Sequence, residues 1–450
     1  MVYRMYAPVA VKDYQKTAAL LHFYKKIYAV IGAVIFGLGL CVIPFMDYII
    51  KDKPDVSGLT LYYILFLINT TISYWFASYK SSVLYADQKE YIKTNVQNAM
   101  SILQSALQIV LLLIFRKYLL YLLVQLGCNI ILNLYVAHLV DKRYPQIREH
   151  RNARLTSEER GQIKKDAEAL VLSRFGHVVL NGTDNIIISA VVGVLWVGRL
   201  SNYTLICDSV TSVLCQITAA ITGSLGNFFA TEDKHAGHAL FKKVEFLNFW
   251  LYGFSFIALV TLLDPFVQIW AGGRFVLGLP ISIAIAINFF VAGYMNTLWV
   301  FRSTLGLFKQ GKFRPILVAI LNIVLSIVLG KLWGVFGVLF ATFLSRASIN
   351  LWYDPIVLHK YGFGVSCKPF FIRYLKRIFL LMAVLLIMLA IRKTVLPVEV
   401  TVLRFILMTV ITAVVPNAVF GLVYHHCEEY AYFKSVVKDR IIAPIRGKLR

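Results

Sequence analysis

The sequence has few acidic residues and few long polar stretches. Both features limit the class of protein to which the chain can belong. Of 450 residues, 23 are Asp or Glu against 46 Lys or Arg, which gives a net charge of +23. Charged residues make up 15% of the chain and hydrophobic residues 59%, and the mean hydropathy is +0.70. A soluble domain carries more charge and shorter apolar runs. The composition therefore excludes an ordinary soluble protein.

Several chemical motifs are also missing. The six cysteines show no paired spacing and mostly lie in apolar runs, which favours small buried residues over disulfides or metal ligands. No GxxxxGK[ST] run occurs, so ATP hydrolysis by a P-loop is excluded. No Asp-x-Asp motif of a nucleotide-sugar domain, no long connector that could form a catalytic loop and no His/Cys cluster of a metal site occurs either. The sequence therefore predicts that the chain is not an enzyme and uses no cofactor. The polar start, with no short apolar region near Met1, predicts no cleavable signal peptide.

What the chain has instead is about twelve apolar segments of near twenty residues each. A bilayer core about 30 Å thick needs roughly 20 apolar residues at a rise of 1.5 Å per residue. The predicted fold is all-α: a polytopic helical membrane protein with about 12 transmembrane helices. The predicted spans are 28–49, 60–79, 95–115, 118–138, 170–196, 202–227, 245–271, 277–299, 315–332, 335–354, 377–393 and 402–424.

The basic residues predict the orientation. When the connectors alternate between two sides, those on the side of residues 1–27 carry 34 Lys and Arg, and the others carry 9. Lys and Arg accumulate on the cytoplasmic side of membrane proteins. We therefore expect a multi-pass protein of the cell membrane with both termini in the cytoplasm. Anionic membrane lipids account for the excess basicity, and no nucleic-acid partner is expected.

Two local signals concern connectors. The long polar stretch 141–169 contains Thr156-Ser-Glu-Glu159, the pattern of a helix capping box, and predicts a cytoplasmic surface helix. Asp264-Pro265 predicts the outer end of the seventh span, because proline does not continue a helix interior freely.

Polar side chains inside the predicted spans repeat at helical spacing. In the fifth span, the offsets of 0, 3, 7 and 10 residues place four of them within an arc of roughly 80°. The third span carries an even tighter stripe, and the fourth, sixth and tenth spans carry shorter ones. The stripes are Arg174, His177, Asn181 and Asp184; Gln97, Ser101, Gln104 and Gln108; Gln125, Asn129 and Asn133; Thr204, Asp208 and Thr211; and Thr342, Arg346 and Asn350.

Two interpretations of these stripes stay open. Polar side chains often join helices by hydrogen bonds inside bundles, and Arg174 and Arg346 can reach the cytoplasmic interface from helix ends. Alternatively, the stripes line a hydrated cavity whose arginines bind a phosphate group by paired hydrogen bonds. Under this second interpretation, Asp184 and Asp208 are candidate ion-coupling sites. The candidate substrate-binding residues are Arg174, His177, Asn181, Arg346, Asn350, Gln104 and Gln108.

Several short runs resemble one family. They are Val178–Ser189, Val197–Tyr203, Asp264–Gly272, Asn322–Ser326, Gly334–Val338 and Trp352–Pro355. In order and spacing they are similar to the polysaccharide-export flippases of the multidrug/oligosaccharidyl-lipid/polysaccharide exporter superfamily, of the Gram-positive type. The resemblance covers nearly the whole chain.

The resemblance implies two transmembrane lobes and two extra helices. It divides the chain into a partial four-helix lobe (1–140), a cytoplasmic linker (141–169), a six-helix lobe (170–355), two further helices (377–424) and a basic cytoplasmic tail (425–450). The opening Met1–Ala10 is similar to the family's connector after its second helix. We therefore expect the family's first two helices to be missing from this chain.

The resemblance also implies a function. It predicts a flippase that moves an undecaprenyl-diphosphate-linked oligosaccharide across the cytoplasmic membrane by alternating access, for cell-surface polysaccharide biosynthesis. One alternative is a sodium- or proton-coupled multidrug exporter of the same superfamily, for which an acidic cavity is expected. Alternatives of another class are a membrane glycosyltransferase or ligase, which the missing catalytic loops disfavour, and an inert membrane scaffold.

Overall fold

The computed structural model describes residues 3–50, 58–76, 78–150, 153–163, 182–231, 234–307, 314–396 and 400–437. The described residues are overwhelmingly helical. The helices are α1 (Tyr3–Ala10), α2 (Tyr14–Val42), α3 (Met46–Ile49), α4 (Leu59–Trp75), α5 (Ser81–Ala86), α6 (Glu90–Phe115), α7 (Tyr118–Arg143), α8 (Pro145–Glu149), α9 (Gly182–Val192), α10 (Val194–Thr231), α11 (Lys234–Trp270), α12 (Leu279–Thr304), α13 (Arg314–Val357), α14 (Lys368–Val395), α15 (Val402–Tyr424) and α16 (Glu428–Val437), with a further helical stretch at 157–163.

The fold-class prediction is confirmed: this is an all-α, multi-pass membrane protein. Eight of the described helical segments are long and apolar enough to cross a bilayer. Helices satisfy their own backbone hydrogen bonds, which a bilayer interior requires. The segment Arg314–Phe363 holds two of the predicted spans, and its backbone breaks at Gly334, where φ is +61° and ψ is −139°. Only glycine adopts such angles at low cost. The break lies in the gap between the predicted spans 315–332 and 335–354.

Two compact units divide the described helices. The first contains α1 to α8 and residues 157–163, and the second contains α9 to α16. In the first unit, the buried core lies among α1, the start of α2, α5 and the end of α7, around Met5, Tyr24, Leu84 and Val140.

The second unit is built around α11, which packs against α10, α12, α14 and α15. Its core is rich in aromatic side chains, among them Phe241, Phe249, Tyr252 and Tyr294. In α11, 67% of the most apolar stretch is buried, compared with 6% in α6. The corresponding value for α12 is also 67%, so α11 and α12 are the two most buried of the long apolar helices that the structure describes.

The capping box is confirmed. The Thr156 amide donates to Glu159 Oε2 at 3.1 Å, and the Glu159 amide donates to Thr156 Oγ1 at 3.3 Å. The two residues thus satisfy each other's free backbone amides at the start of the helical stretch 157–163. Lys16 of α2 also reaches Glu159, with Nζ 3.0 Å from Oε1. This ion pair fixes the stretch against the first unit.

The prediction for Asp264-Pro265 is wrong. Helix α11 runs through Pro265 and ends at Trp270, two residues before Gly272, where φ is +99°. The proline removes one backbone donor but does not end the helix, because buried side chains hold this turn on several sides. Tyr203 and Ser282 both donate to Asp264 Oδ1, at 2.7 and 2.8 Å, and Arg392 lies 3.6 Å from Asp264 Oδ2.

Candidate functional site

A cavity of about 440 Å³ lies within the second unit, and polar side chains interrupt its mainly apolar wall. Helices α9, α10, α11, α12 and the second half of α13 contribute residues to its wall. The apolar part of the wall includes Leu200, Ile285 and Phe289, and hydroxyl, amide and charged groups lie between such residues. The polar lining residues are Asp184, Thr204, Asp208, Thr211, Asn288, Asn296, Thr342 and Arg346.

Asp184 is the most constrained of these residues. Thr342 donates from Oγ1 to Asp184 Oδ2 at 2.7 Å, which joins α9 to α13. Asn322 in turn donates from Nδ2 to Thr342 Oγ1 at 2.9 Å and reaches Ser326 Oγ at 3.4 Å. Asp184 Oδ1 and Asn322 Oδ1 are buried and accept no hydrogen bond from any residue that the structure describes. The group therefore offers two unused oxygen acceptors, which suit a hard cation or a proton.

Arg346 brings a positive charge to the same cavity. It lies one helical turn after Thr342 and interacts electrostatically with Asp184. Asn350 follows one turn later, and its buried Oδ1 meets no donor within the described ranges. An arginine keeps its charge at any membrane depth. The cavity therefore combines a permanent cation with a carboxylate in a low-dielectric setting.

The stripe on α10 faces this cavity too. Thr204, Asp208 and Thr211 all line it. Asp208 is an exposed residue. The spacing of 4 and 3 residues had placed them on one helical face. Asp184 and Asp208, the two candidate ion-coupling residues, therefore line one cavity.

Three of the predicted substrate-binding residues lie outside the described residues: Arg174, His177 and Asn181. Their roles stay predictions. The two remaining candidates are on α6 in the first unit. Gln104 lines a smaller cleft between α4, α6 and α7, whereas Gln108 is buried and donates from Nε2 to the Tyr121 carbonyl at 3.2 Å. Gln108 thus joins two helices and lies away from the cleft.

Several polar residues of the second unit were not singled out from the sequence. Asn288 and Asn296 line the cavity from α12. Elsewhere, Glu245 accepts from Arg377 and, at 2.5 Å, from Tyr294, and Asp354 accepts from both Arg302 and Arg314. The bonds of Arg377 to Glu245 and of Arg302 to Asp354 join different helices, whereas the bond of Arg314 to Asp354 joins the two parts of α13. Each of these charged residues lies at or near the end of a predicted span. At such a position the sequence predicts a side chain that is exposed to solvent.

The described residues contain no group of three or more His, Cys, Asp or Glu that could hold a metal ion. A cation in this unit would therefore have to use hydroxyl and amide oxygens beside Asp184, a donor set suited to hard cations rather than to transition metals.

Comparison with known proteins identifies the class of membrane-protein fold. The similarity is found between structures and not between sequences. No protein-family model matches the sequence, and no curated protein matches it. Among solved structures, the chain is similar to one described as the lipid II flippase MurJ in an inward closed conformation, with a TM-score of 0.58. The two sequences are 15% identical, and the match covers 93% of this chain and 87% of that one. The chain thus shares the fold of a known flippase.

Proposed function

We propose that this protein is a flippase for a lipid-linked substrate, and specifically for an undecaprenyl-diphosphate-linked oligosaccharide that enters cell-surface polysaccharide. It works in the cell membrane with both termini in the cytoplasm, where its basic connectors contact anionic lipids. The shared fold supports the general class. The finer assignment rests on the chemistry of the cavity in the second unit.

The observation that carries the proposal is the place of Arg346 in that cavity. A guanidinium group binds phosphate through two parallel hydrogen bonds and does so best where water is excluded. Asn350, one turn further along α13, is not among the residues that line the cavity, and we propose that its side-chain NH₂ donates to the headgroup. We assign Arg346 to the diphosphate headgroup, together with Arg174, His177 and Asn181.

Asp184 and Asp208 have a different role in this proposal. Asp184 Oδ1 and Asn322 Oδ1 lack donors within the described part of the chain, and Thr342 and Ser326 add hydroxyl oxygens beside them. A sodium ion or a proton bound here neutralises Asp184 and so weakens the attraction of that carboxylate for Arg346, which favours interaction of Arg346 with the anionic headgroup. Ion binding and substrate binding would therefore be coupled through Arg346.

The membrane potential favours this direction of transport. An anionic headgroup that moves outward leaves a negative interior, and each charge gains about 2.3 kcal/mol per 100 mV. An empty cavity that carries Arg346 is drawn inward by the same field. The cycle therefore needs no ATP, in agreement with the missing P-loop.

Transport by Arg346 variants tests the proposal. In proteoliposomes with a fluorescent undecaprenyl-diphosphate saccharide, Arg346→Ala should abolish transport, and Arg346→Lys should keep part of it, since the charge survives without the planar fork. Flux is normalised to folded protein. Normal flux per molecule in Arg346→Ala would overturn the assignment. Lys331→Ala, on the exposed side of α13, is the matched control and should transport normally.

A second candidate is favoured by one observation, the presence of two carboxylates in the cavity. Asp184 and Asp208 outnumber Arg346 there, and an acidic cavity suits the efflux of organic cations. Direct transport distinguishes the candidates: a cation exporter should move a lipophilic cation across the proteoliposome membrane, whereas a flippase should translocate the lipid-linked saccharide and leave the cation in place.

A further inference from the structure

A second polar cleft lies in the first unit, between α4, α6 and α7, with a volume of about 190 Å³. Amide side chains line most of it. At roughly 30 Å³ per water molecule, it has room for about six waters, which is the scale of one sugar ring. The polar lining residues are Asn69, Gln97, Ser101, Gln104, Gln125 and Asn129.

The cleft differs from the cavity of the second unit because it lacks charge. No Asp, Glu, Lys or Arg occurs in α4, in α6 from Asn95 to Phe115, or in α7 from Tyr118 to Val140. Amides and hydroxyls are therefore the polar groups of its described lining. Such a lining does not compensate the charge of a diphosphate or of an organic cation, so it suits a neutral ligand.

One wall of the cleft is held in place. Asn129 donates from Nδ2 to both the backbone oxygen and Oδ1 of Asn69, each at 3.1 Å. Asn133 donates to Asn129 Oδ1 at 2.9 Å. This chain of amides joins α4 to α7 and fixes the orientation of Asn129.

The three glutamine side chains of the cleft lack hydrogen-bond partners among the described residues. Gln97, Gln104 and Gln125 form no side-chain hydrogen bond with any described residue. Gln108, one turn beyond Gln104, shows the alternative: it is buried and bonds the α7 backbone. Gln97 is exposed and Gln104 and Gln125 are half-buried, so all three amides are accessible to a polar occupant of the cleft rather than engaged in helix–helix bonding.

We propose that this cleft binds an uncharged polyhydroxylated group, namely a sugar ring of the transported lipid-linked glycan. Each glutamine amide offers two donors and an acceptor oxygen, which match the donor and acceptor capacity of sugar hydroxyls. The inference rests on the proposed function and adds to it a division of labour. The second unit binds the charged headgroup, and the first unit recognises the neutral glycan.

Binding to carriers with and without sugar tests this inference. The full chain in nanodiscs is titrated with undecaprenyl diphosphate and with undecaprenyl diphosphate bearing a single glucose, galactose or N-acetylglucosamine. The wild type should bind at least one glycosylated carrier about tenfold more tightly than the bare carrier. Gln104→Leu and Gln125→Leu should lose most of this preference and keep their affinity for the bare carrier. Asn98→Leu removes an exposed amide of α6 outside the cleft and should keep the preference.

The outcomes separate the inference from the function on which it rests. Binding of bare carrier without preference for any sugar, or a preference that survives both glutamine variants, overturns the cleft assignment and leaves the flippase proposal standing. Failure of the wild type to bind any carrier overturns the flippase proposal and the cleft assignment together. If Gln104→Leu does not fold, Gln104→Asn keeps a shortened amide and should reduce the preference by a smaller factor; an unchanged preference there also counts against the cleft.

Discussion

Thr342 of α13 donates a hydrogen bond of 2.7 Å to Asp184 of α9, and this contact closes one wall of the charged cavity. The two residues are 158 positions apart in the chain. The bond leaves Asp184 Oδ1 without a donor among the described residues. The carboxylate is thereby held in one orientation with one oxygen free, the arrangement expected of an ion-coupling residue.

Asp184→Asn should remove ion coupling while preserving the fold. Asparagine matches the shape of aspartate and still accepts the bond from Thr342, but it has no charge to bind sodium or a proton. We expect transport that no longer responds to sodium or pH gradients, measured as flux in proteoliposomes with each gradient imposed separately. Asp208→Asn gives the comparison from α10. If Asp184→Asn keeps the gradient response of the wild type, Asp184 is not the coupling site.

Asp264 should contribute to stability through its three partners. Asp264→Ala removes the ion-pair partner of Arg392, which then keeps its bond to the Val260 carbonyl, and removes the acceptor for Tyr203 and Ser282. Breaking a buried ion pair by removing one partner typically costs about 3–5 kcal/mol. The thermal unfolding midpoint of the purified protein should therefore fall strongly in Asp264→Ala. It should fall less in Asp264→Asn, which keeps the acceptor. Equal midpoints for wild type and Asp264→Ala would contradict this role.

Gly337 should not tolerate a larger side chain. A Cβ atom there would lie 1.9 Å from the Leu329 carbonyl oxygen, because the break at Gly334 folds the two parts of α13 close together. We expect Gly337→Ala to lower the yield of folded protein in detergent-solubilised membranes. Gly253→Ala is the control, since its Cβ would meet Leu381 Cδ1 at an ordinary 3.4 Å. Similar yields for both variants would show that the break relaxes at little cost.

The helical stretch 157–163 should loosen at low pH. The hydrogen bond from Lys16 is the main reason that the pKa of Glu159 lies below its ordinary value of 4.5. A lowered folded-state pKa means that the stabilisation is present above about pH 4.5 and is lost as the pH falls through the lower folded value. The effect is small, because the Lys16 side chain is 51% exposed and exposed ion pairs contribute little.

Hydrogen exchange of residues 157–163, corrected for intrinsic rates, measures this loosening. Protection should decrease as the pH is lowered through the range below 4.5. Glu159→Gln should exchange faster at neutral pH and lose most of the pH dependence, whereas Glu158→Gln, on the exposed side of the same turn, should resemble the wild type. An unchanged pH dependence in Glu159→Gln would assign the loosening to another group.

Local patterns predicted the helices well, because hydrophobic length and helical spacing are properties of short segments. The break at Gly334 and the Thr156–Glu159 capping box belong to this class. The Pro265 prediction failed because distant partners of Asp264 stabilise that turn. The cavity is intermediate: spacing placed Thr204 and Asp208 on one face, but no local pattern showed which helix that face meets.

Orientation in the membrane is the remaining prediction, and it is motivated by the excess of Lys and Arg in alternate connectors. In a variant whose six native cysteines are replaced, single cysteines are introduced at Ser157 and Arg274, both exposed. Arg274 lies between α11 and α12, in a connector predicted to be outside. An impermeant maleimide should label position 274 in intact cells and position 157 only after permeabilisation. The reverse labelling pattern would show that the predicted topology is inverted.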